Sequence, residues 1–181
     1  HVEGIERVDG TVPRIYMSNH PSAFDIFVLL ASLPVDFKFI MKEELMKIPI
    51  FGFASRRAGY IGIVRDDPRK AVKSMERAAE RIRNGASVLV FPEGTRSEEG
   101  NLQSFKKGGF HLAHKAGCDI VPVTIIGTSK IMRKGSFRIN AGRVRVIVGF
   151  PVSVKEYDKQ SIGKLMERVH AEMNSHLKTQ T

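Results

Sequence analysis

The chain has 181 residues, of which 42% are hydrophobic, and this is enough for one domain with a sizeable core. It carries 29 basic and 19 acidic residues, a formal net charge of +10, which favours anionic partners such as phosphorylated substrates, an acidic membrane surface or nucleic acid. The single cysteine, Cys118, excludes an intramolecular disulfide, and the sequence has no run of about 18 apolar residues that would span a membrane.

Strand and helix patterns alternate along the chain, without repeats, low-complexity tracts or linkers. This alternation predicts an α/β fold, with a mixed, partly parallel central sheet flanked by helices, in a single domain over residues 1–181. In chain order, the sequence predicts a strand at 14–17, a helix at 26–33, a strand at 37–41, a short helix and irregular loop within 42–58, a strand at 60–64, a helix at 68–84, a strand at 88–91, a helix at 109–115, a strand at 120–126, a hairpin-like pair at 137–139 and 144–148, and a helix at 159–177.

The helix at 68–84 has the clearest start and stop signals. Asp67 is a suitable cap, Pro68 suits the first helical position, and Gly85 follows the last turn. Four apolar side chains recur at helical spacing and are expected to face the core. They are Val72, Met75, Ala79 and Ile82.

The segment S-N-H-P-S-A-F-D, from Ser18 to Asp25, has the pattern of a strand end, a sharp turn and a helix start. Pro21 lacks a backbone donor and therefore stops the strand, and Ser22 is expected to cap the following helix. The Asp25 carboxylate can then accept one imidazole N–H of His20 and leave the other ring nitrogen free as a base. A satisfied polar pair in a turn is the alternative interpretation of these residues alone.

A second polar segment, P-E-G-T-R-S at 92–97, follows the predicted strand at 88–91. In open α/β sheets, ligands bind at the carboxyl ends of the strands. Glu93 offers an acceptor at this position, and the Arg96 guanidinium offers a fork of donors that suits phosphate. An ordinary polar loop with an internal ion pair is the alternative interpretation of this segment alone.

Together, the two segments resemble the glycerolipid acyltransferases, specifically the 1-acylglycerol-3-phosphate acyltransferase family. The N-H-x4-D motif of that family is matched by Asn19, His20 and Asp25. Its F-P-E-G-T-R-S motif is matched without change at residues 91–97. Both motifs are specific, and they occur here in the family's order.

Two further segments are similar to weaker motifs of the same family. One is the apolar run that ends at Arg65, and the other is the apolar strand that contains Pro122. Many buried strands would satisfy these two patterns, so they add little on their own. With them, the resemblance covers roughly residues 18–126.

The resemblance implies an enzyme, a 1-acyl-sn-glycerol-3-phosphate O-acyltransferase, that needs no cofactor and no metal. It would transfer an acyl group from an acyl thioester, on coenzyme A or acyl carrier protein, to the sn-2 hydroxyl of lysophosphatidic acid, giving phosphatidic acid. His20 would be the general base and Asp25 its partner. The resemblance also implies acceptor phosphate and glycerol contacts from Arg65, Glu93, Gly94, Thr95, Arg96 and Lys106, and supporting roles for Asn19, Ser22 and Pro122.

Two of these basic residues also have a simpler interpretation. Arg65 can end a strand in water, or it can point to a phosphate at the carboxyl end of that strand. Lys106 and its neighbour Lys107 can form a solvated pair at a helix start, or Lys106 can add positive charge to a phosphate pocket. The resemblance favours the phosphate interpretation of both.

Metal and nucleic acid are not expected as ligands. His111 and His114 are three residues apart on a predicted helix, but the sequence has no H-E-x-x-H motif and no cysteine pair. The basic groups are not interleaved with aromatic residues, since there is no Trp and there are only three Tyr. An anionic membrane surface therefore explains the charge better.

A segment at 45–57 is apolar first and basic afterwards. We expect Ile50, Phe51 and Phe53 to insert into a membrane interface while neighbouring Lys and Arg side chains meet anionic headgroups. A core-packed connection is the alternative. The expected location is the cytoplasmic face of a membrane, as a peripheral protein or through an upstream N-terminal anchor of the kind that similar enzymes often have.

Three alternatives to the main interpretation stay open at this point. The acceptor can be glycerol-3-phosphate or another lysophospholipid. The chain can also be a lipid-binding or membrane-binding module of the same fold that does not catalyse acyl transfer. A basic nucleic-acid-binding domain is the third alternative, and it would require salt-sensitive binding.

Overall fold

The computed structural model describes residues 1–64, 66–97, 101–136 and 138–178. In this part of the chain, strands and helices alternate as the sequence predicts. The strands are β1 (Val2–Glu3), β2 (Ile15–Ser18), β3 (Phe37–Lys42), β4 (Ile61–Ile63), β5 (Ser87–Val90), β6 (Ile120–Ile126) and β7 (Arg145–Val148). The helices are α1 (Asp25–Ser32), α2 (Pro49–Arg57), α3 (Pro68–Arg83), α4 (Lys107–Ala116), α5 (Thr128–Ile131) and α6 (Ile162–Lys178).

The strands form one sheet in the order β1-β7-β6-β2-β5-β3-β4. Every neighbouring pair is parallel except β6 and β7, which are antiparallel. This confirms the predicted α/β class with a mixed, partly parallel central sheet. Because β2 is parallel to both β5 and β6, the carboxyl ends of these three strands lie at the same edge of the sheet.

Both faces of the sheet are covered, so the central strands are buried on both sides. Ile15 and Met17 of β2 point to one apolar layer, which contains buried side chains of α3, α4 and α6. Tyr16 points to the other layer, together with Leu29 of α1. This two-sided burial explains why the central strands are continuous apolar runs and do not alternate with polar residues.

Helix α3 confirms its predicted signals but not all of its predicted core face. The Asp67 carboxylate accepts hydrogen bonds from the backbone N–H groups of Arg69 and Lys70, and the helix begins at Pro68. Ala79 and Ile82 are buried as predicted, whereas Val72 is 66% exposed. Val72 lies in the first turns of the helix, where small Ser74 and Ala78 face the interior instead.

Two other expectations are corrected. Within 42–58, α2 confirms the expected short helix, and Pro49 opens it at a position that needs no backbone donor. The expected irregular loop is instead a 3-10 turn at Glu43–Lys47. The hairpin expected from 137–139 and 144–148 does not form, because β7 pairs with β6 and β1 and residues 138–144 contain no strand. Residue 137 itself lies outside the described residues. The long buried strand β6 offers β7 more apolar contact than a short local partner would.

Candidate active site

The turn after β2 is held in place by Asn19, whose side chain is buried. Its amide Nδ2 donates to the carbonyl oxygen of Ile125 at 2.9 Å, and its Oδ1 accepts from the backbone N–H of Ile125 at 2.7 Å. These two bonds join the turn to the last residues of β6, which are 106 positions further along the chain. Asn19 therefore fixes where the next residue, His20, lies at the sheet edge.

His20 and Asp25 contact each other as the motif predicts. The imidazole Nδ1 lies 2.9 Å from Asp25 Oδ2. Since a carboxylate only accepts, Nδ1 carries the hydrogen and the lone pair is on Nε2. The same Oδ2 accepts the backbone N–H of Ser22 at 2.9 Å. Asp25 is 0% exposed, and its Oδ1 has no hydrogen-bond partner among the described residues, so both of its hydrogen bonds come from the turn through Oδ2.

Ser22 is not the helix cap that the sequence predicts. Helix α1 begins at Asp25, after Phe24, because residues 22–24 form a separate turn closed by the Asp25 carboxylate. The Ser22 hydroxyl accepts the backbone N–H of Phe24 at 3.1 Å and donates to the carbonyl oxygen of Met132 at 2.7 Å. Ser22 thus joins the His20 turn to the segment after β6.

Glu93 lies inside the protein between two loops. It is 1% exposed, and each of its carboxylate oxygens accepts a backbone N–H: Oε1 from His20 at 2.8 Å and Oε2 from Gln103 at 3.0 Å. Burial raises the pKa of the Glu93 carboxyl above its ordinary value of 4.5, and the two backbone donors act in the opposite direction. The backbone N–H of Ser97 also donates to the carbonyl oxygen of His20 at 2.9 Å. The loop after β5 therefore holds the His20 backbone.

Phe91 contacts the imidazole directly, and the residue patterns did not single it out. Its ring is stacked on that of His20, with the ring centroids 3.9 Å apart and an interplanar angle of 15°. The ring plane of His20 is thus set by Asp25 at its edge and by Phe91 on its face. The available signal was the position of Phe91, which follows β5 directly and begins the F-P-E-G-T-R-S segment.

The remaining predicted acceptor residues lie between β5 and α4. Gly94 has a positive φ of 76°, a backbone conformation that favours glycine, and with exposed Thr95 it forms the turn that leads to half-buried Arg96. The exposed Lys106 directly precedes α4, and its backbone N–H donates to the carbonyl oxygen of Pro92 at 2.8 Å. This bond brings the basic residue back to the same loop.

One predicted residue, Pro122, is not part of this group of contacts. Arg65 lies outside the described residues. Pro122 is buried within β6, opposite Met17 of β2, and its carbonyl oxygen accepts the backbone N–H of Gly149 at 2.8 Å. Pro122 therefore contributes to the sheet that carries the site, opposite Gly149, which directly follows β7.

A family model described as "Acyltransferase" matches residues 1–126. The fold is similar to the crystal structure of the 1-acyl-sn-glycerophosphate (LPA) acyltransferase PlsC from Thermotoga maritima, with a TM-score of 0.83 and 33% sequence identity. That match covers 99% of this chain and 72% of the other. The chain belongs to the 1-acylglycerol-3-phosphate acyltransferase family.

Named members of this acyltransferase family are also similar in sequence. A chloroplastic 1-acyl-sn-glycerol-3-phosphate acyltransferase of Arabidopsis thaliana is 46% identical over 160 residues, which is 87% of this chain and 45% of that protein. The enzyme of that name from Saccharomyces cerevisiae is 32% identical over 169 residues, 92% of this chain and 56% of that protein. The chain spans about half the length of the curated relatives it matches.

An apolar cavity of about 330 Å³ opens beside the loop that follows β5. Phe91, Gly94 and Lys106 line it together with apolar side chains of β4, α3 and α4. It therefore places an apolar space directly beside the ring that stacks on His20. Among residues 1–64, 66–97, 101–136 and 138–178, no helix is both long and apolar enough to cross a bilayer.

Proposed function

We propose that this chain transfers an acyl group from an acyl thioester to the sn-2 hydroxyl of lysophosphatidic acid and thereby forms phosphatidic acid. The observation that carries this proposal is the His20–Asp25 pair, with an oriented imidazole at the carboxyl ends of parallel strands. Its position beside a loop that presents Arg96 and Lys106 supports a phosphorylated acceptor. The names of the similar proteins support the same substrate class.

In this mechanism, Nε2 of His20 accepts the proton of the acceptor hydroxyl as its oxygen attacks the thioester carbon. The Asp25 carboxylate holds the tautomer and stabilises the imidazolium that forms. When the carbon–sulfur bond breaks, His20 returns the proton to the thiolate that leaves. The acceptor is itself the alcohol nucleophile, so the reaction needs no acyl-enzyme intermediate.

For the acceptor, we propose that Arg96 and Lys106 contact the phosphate, with Arg65 as a further candidate. The role that we propose for Glu93 differs from the glycerol contact that the motif suggested. Both of its oxygens already accept backbone N–H groups, so a hydroxyl contact would require one of these bonds to break. We therefore propose Glu93 as a positioning residue that acts through the His20 backbone.

The exposed face of α2 supports attachment to an anionic membrane. Ile50 is 87% exposed and Phe53 is 64% exposed, which argues against the core-packed alternative. Lys47 lies just before this helix and Arg56 and Arg57 end it. Apolar insertion with basic residues nearby gives weak, reversible, salt-sensitive binding. Co-sedimentation with anionic and neutral vesicles at two ionic strengths tests this, and equal binding to both vesicle types would contradict it.

The function is tested by incubating the purified chain with lysophosphatidic acid and either acyl-coenzyme A or acyl-acyl carrier protein, and identifying the product by mass. We expect phosphatidic acid from the unmodified chain and a loss of about 10²–10⁴-fold in rate for His20→Ala. The matched control is His111→Ala, which removes an exposed imidazole from α4.

Two outcomes would redirect the assignment. Faster acylation of glycerol-3-phosphate or of a different lysophospholipid would change the acceptor. Lipid binding by a correctly folded chain that transfers no acyl group to any of these acceptors would point to the non-catalytic module.

A further inference from the structure

A second, polar cleft lies beside the His20 turn, where the segment after β6 faces it. Its volume is about 1120 Å³. Pro21 and Ser97 line the wall that belongs to the candidate active site. The opposite wall carries four basic side chains. They are Lys130, Arg133, Lys134 and Arg138.

The segment that forms the opposite wall is strongly basic. Residues 120–155 contain seven Lys and Arg and no Asp or Glu. No acidic residue is among the described residues that line the cleft. A concave site with one sign of charge concentrates the field and attracts anions, and guanidinium groups match phosphate geometry. The cleft therefore suits a ligand with several phosphate groups.

The basic wall is fixed relative to the catalytic turn. The Ser22 hydroxyl donates to the carbonyl oxygen of Met132, directly before Arg133. The backbone N–H of Asn140 donates to the carbonyl oxygen of Ile131 at 2.9 Å and returns the loop to the end of α5. A ligand held on this wall would thus have a defined position relative to His20.

The order of the strands separates the basic wall of the cleft from the proposed acceptor residues. Along the sheet, β6 lies on one side of β2 and β5 lies on the other. The basic wall of the cleft follows β6, whereas Arg96 and Lys106 follow β5. Helix α2, with its exposed apolar side chains, precedes β4 at the far edge on the β5 side. An acceptor that arrives from a membrane at α2 would approach His20 from the β5 side, which leaves the β6 side for a water-soluble donor.

We infer that this cleft binds the phosphate groups of coenzyme A when the acyl donor is acyl-coenzyme A. The inference rests on the proposed function for the identity of the reaction, but the binding itself needs no turnover. A nucleotide that bears several phosphates matches four basic side chains, whereas the acceptor has one phosphate and has Arg96 and Lys106 available. A cleft of about 1120 Å³ has room for a nucleotide, while a carrier-protein helix would require an open surface.

Direct binding is the first part of the test. Titration calorimetry with coenzyme A and the whole chain should give binding that weakens about tenfold or more in Arg133→Ala/Arg138→Ala. The matched control, Lys164→Ala/Arg168→Ala, removes two exposed charges from α6 and should bind as the unmodified chain does. Lys130→Ala is a second variant in case the double variant fails to fold, as judged by circular dichroism.

Kinetics with different donors is the second part. Compared with the unmodified chain, the double variant should have a higher KM for acyl-coenzyme A and the same KM for lysophosphatidic acid. Rates with an acyl-pantetheine donor, which lacks the nucleotide, should be the same in the variant and the unmodified chain.

Three results would overturn the cleft assignment: unchanged coenzyme A binding in the variant, an increase confined to KM for lysophosphatidic acid, or an effect seen only with acyl-acyl carrier protein. If the unmodified chain binds coenzyme A through these residues but transfers no acyl group, the proposed function fails and the cleft assignment stands.

Discussion

Replacing Asp25 by Asn tests whether the carboxylate orients His20. In the unmodified chain, one oxygen of Asp25 accepts from both His20 Nδ1 and the Ser22 N–H, each at 2.9 Å, within a fully buried site. An amide whose carbonyl takes that position keeps both bonds but buries its NH₂ where no partner is described, which costs about 1–3 kcal/mol. In the other orientation, the amide NH₂ faces His20 and donates to Nδ1. The ring proton then lies on Nε2, so Nε2 has no lone pair with which to act as the base.

In either orientation, the amide of the Asp25→Asn variant has no charge to stabilise the imidazolium. The equivalent change in a Ser-His-Asp triad lowers kcat by about 10⁴-fold, and we expect Asp25→Asn to lower kcat by roughly 10³–10⁴-fold here. This corresponds to about 4–5.5 kcal/mol in the activation free energy. The unfolding free energy should fall by only about 1–3 kcal/mol, so the variant should still fold.

The assay is the initial rate of phosphatidic acid formation at saturating substrate, followed across a pH series, with thermal unfolding measured in parallel. Asp36→Asn is the matched control, because the Asp36 side chain is 83% exposed and pairs only with Lys38 among the ion pairs described. Folded Asp25→Asn protein that keeps most of the unmodified kcat would refute the role given to this carboxylate.

Three further predictions concern other residues. Arg96→Ala should raise KM for lysophosphatidic acid by roughly 10–100-fold, the value of a charge-assisted contact of about 1.5–3 kcal/mol, and leave KM for the donor unchanged in separate titrations. Glu93→Gln should lower the unfolding free energy by about 1–3 kcal/mol, because an amide NH₂ would face a buried backbone N–H. Because burial raises the pKa of Glu93 in the folded chain, the stability that this carboxyl contributes is fully present below its unfolded pKa of 4.5 and is lost as pH rises through the folded pKa. Denaturant melts should therefore show the largest difference in unfolding free energy between the unmodified chain and the variant at acidic pH. Burial raises the pKa of Cys118 to about 11, so iodoacetamide at mildly alkaline pH should label it, as judged by mass spectrometry, only after denaturation; rapid labelling of the folded chain would contradict its burial.

Local sequence signals were sufficient for most of the elements. The cap at Asp67, the proline after it and the bounds of β6 depend on interactions within a few residues, and the structure confirms them. The spacing of His20 and Asp25 likewise lies within one turn, so their contact followed from the motif. The buried face of α3 was predicted only in part, because the elements packed against the helix decide which of its apolar residues are buried.

Other features depend on which distant segments come together, and no local pattern contains that information. The sequence by itself determined an α/β chain with a His–Asp pair and basic residues suited to phosphate. Only the tertiary structure decided that β7 pairs with β6, that Glu93 bonds the His20 backbone and that Phe91 covers the imidazole. It also decided that a basic cleft forms beside the His20 turn, because the packing of segments far apart in the chain sets which side chains line it.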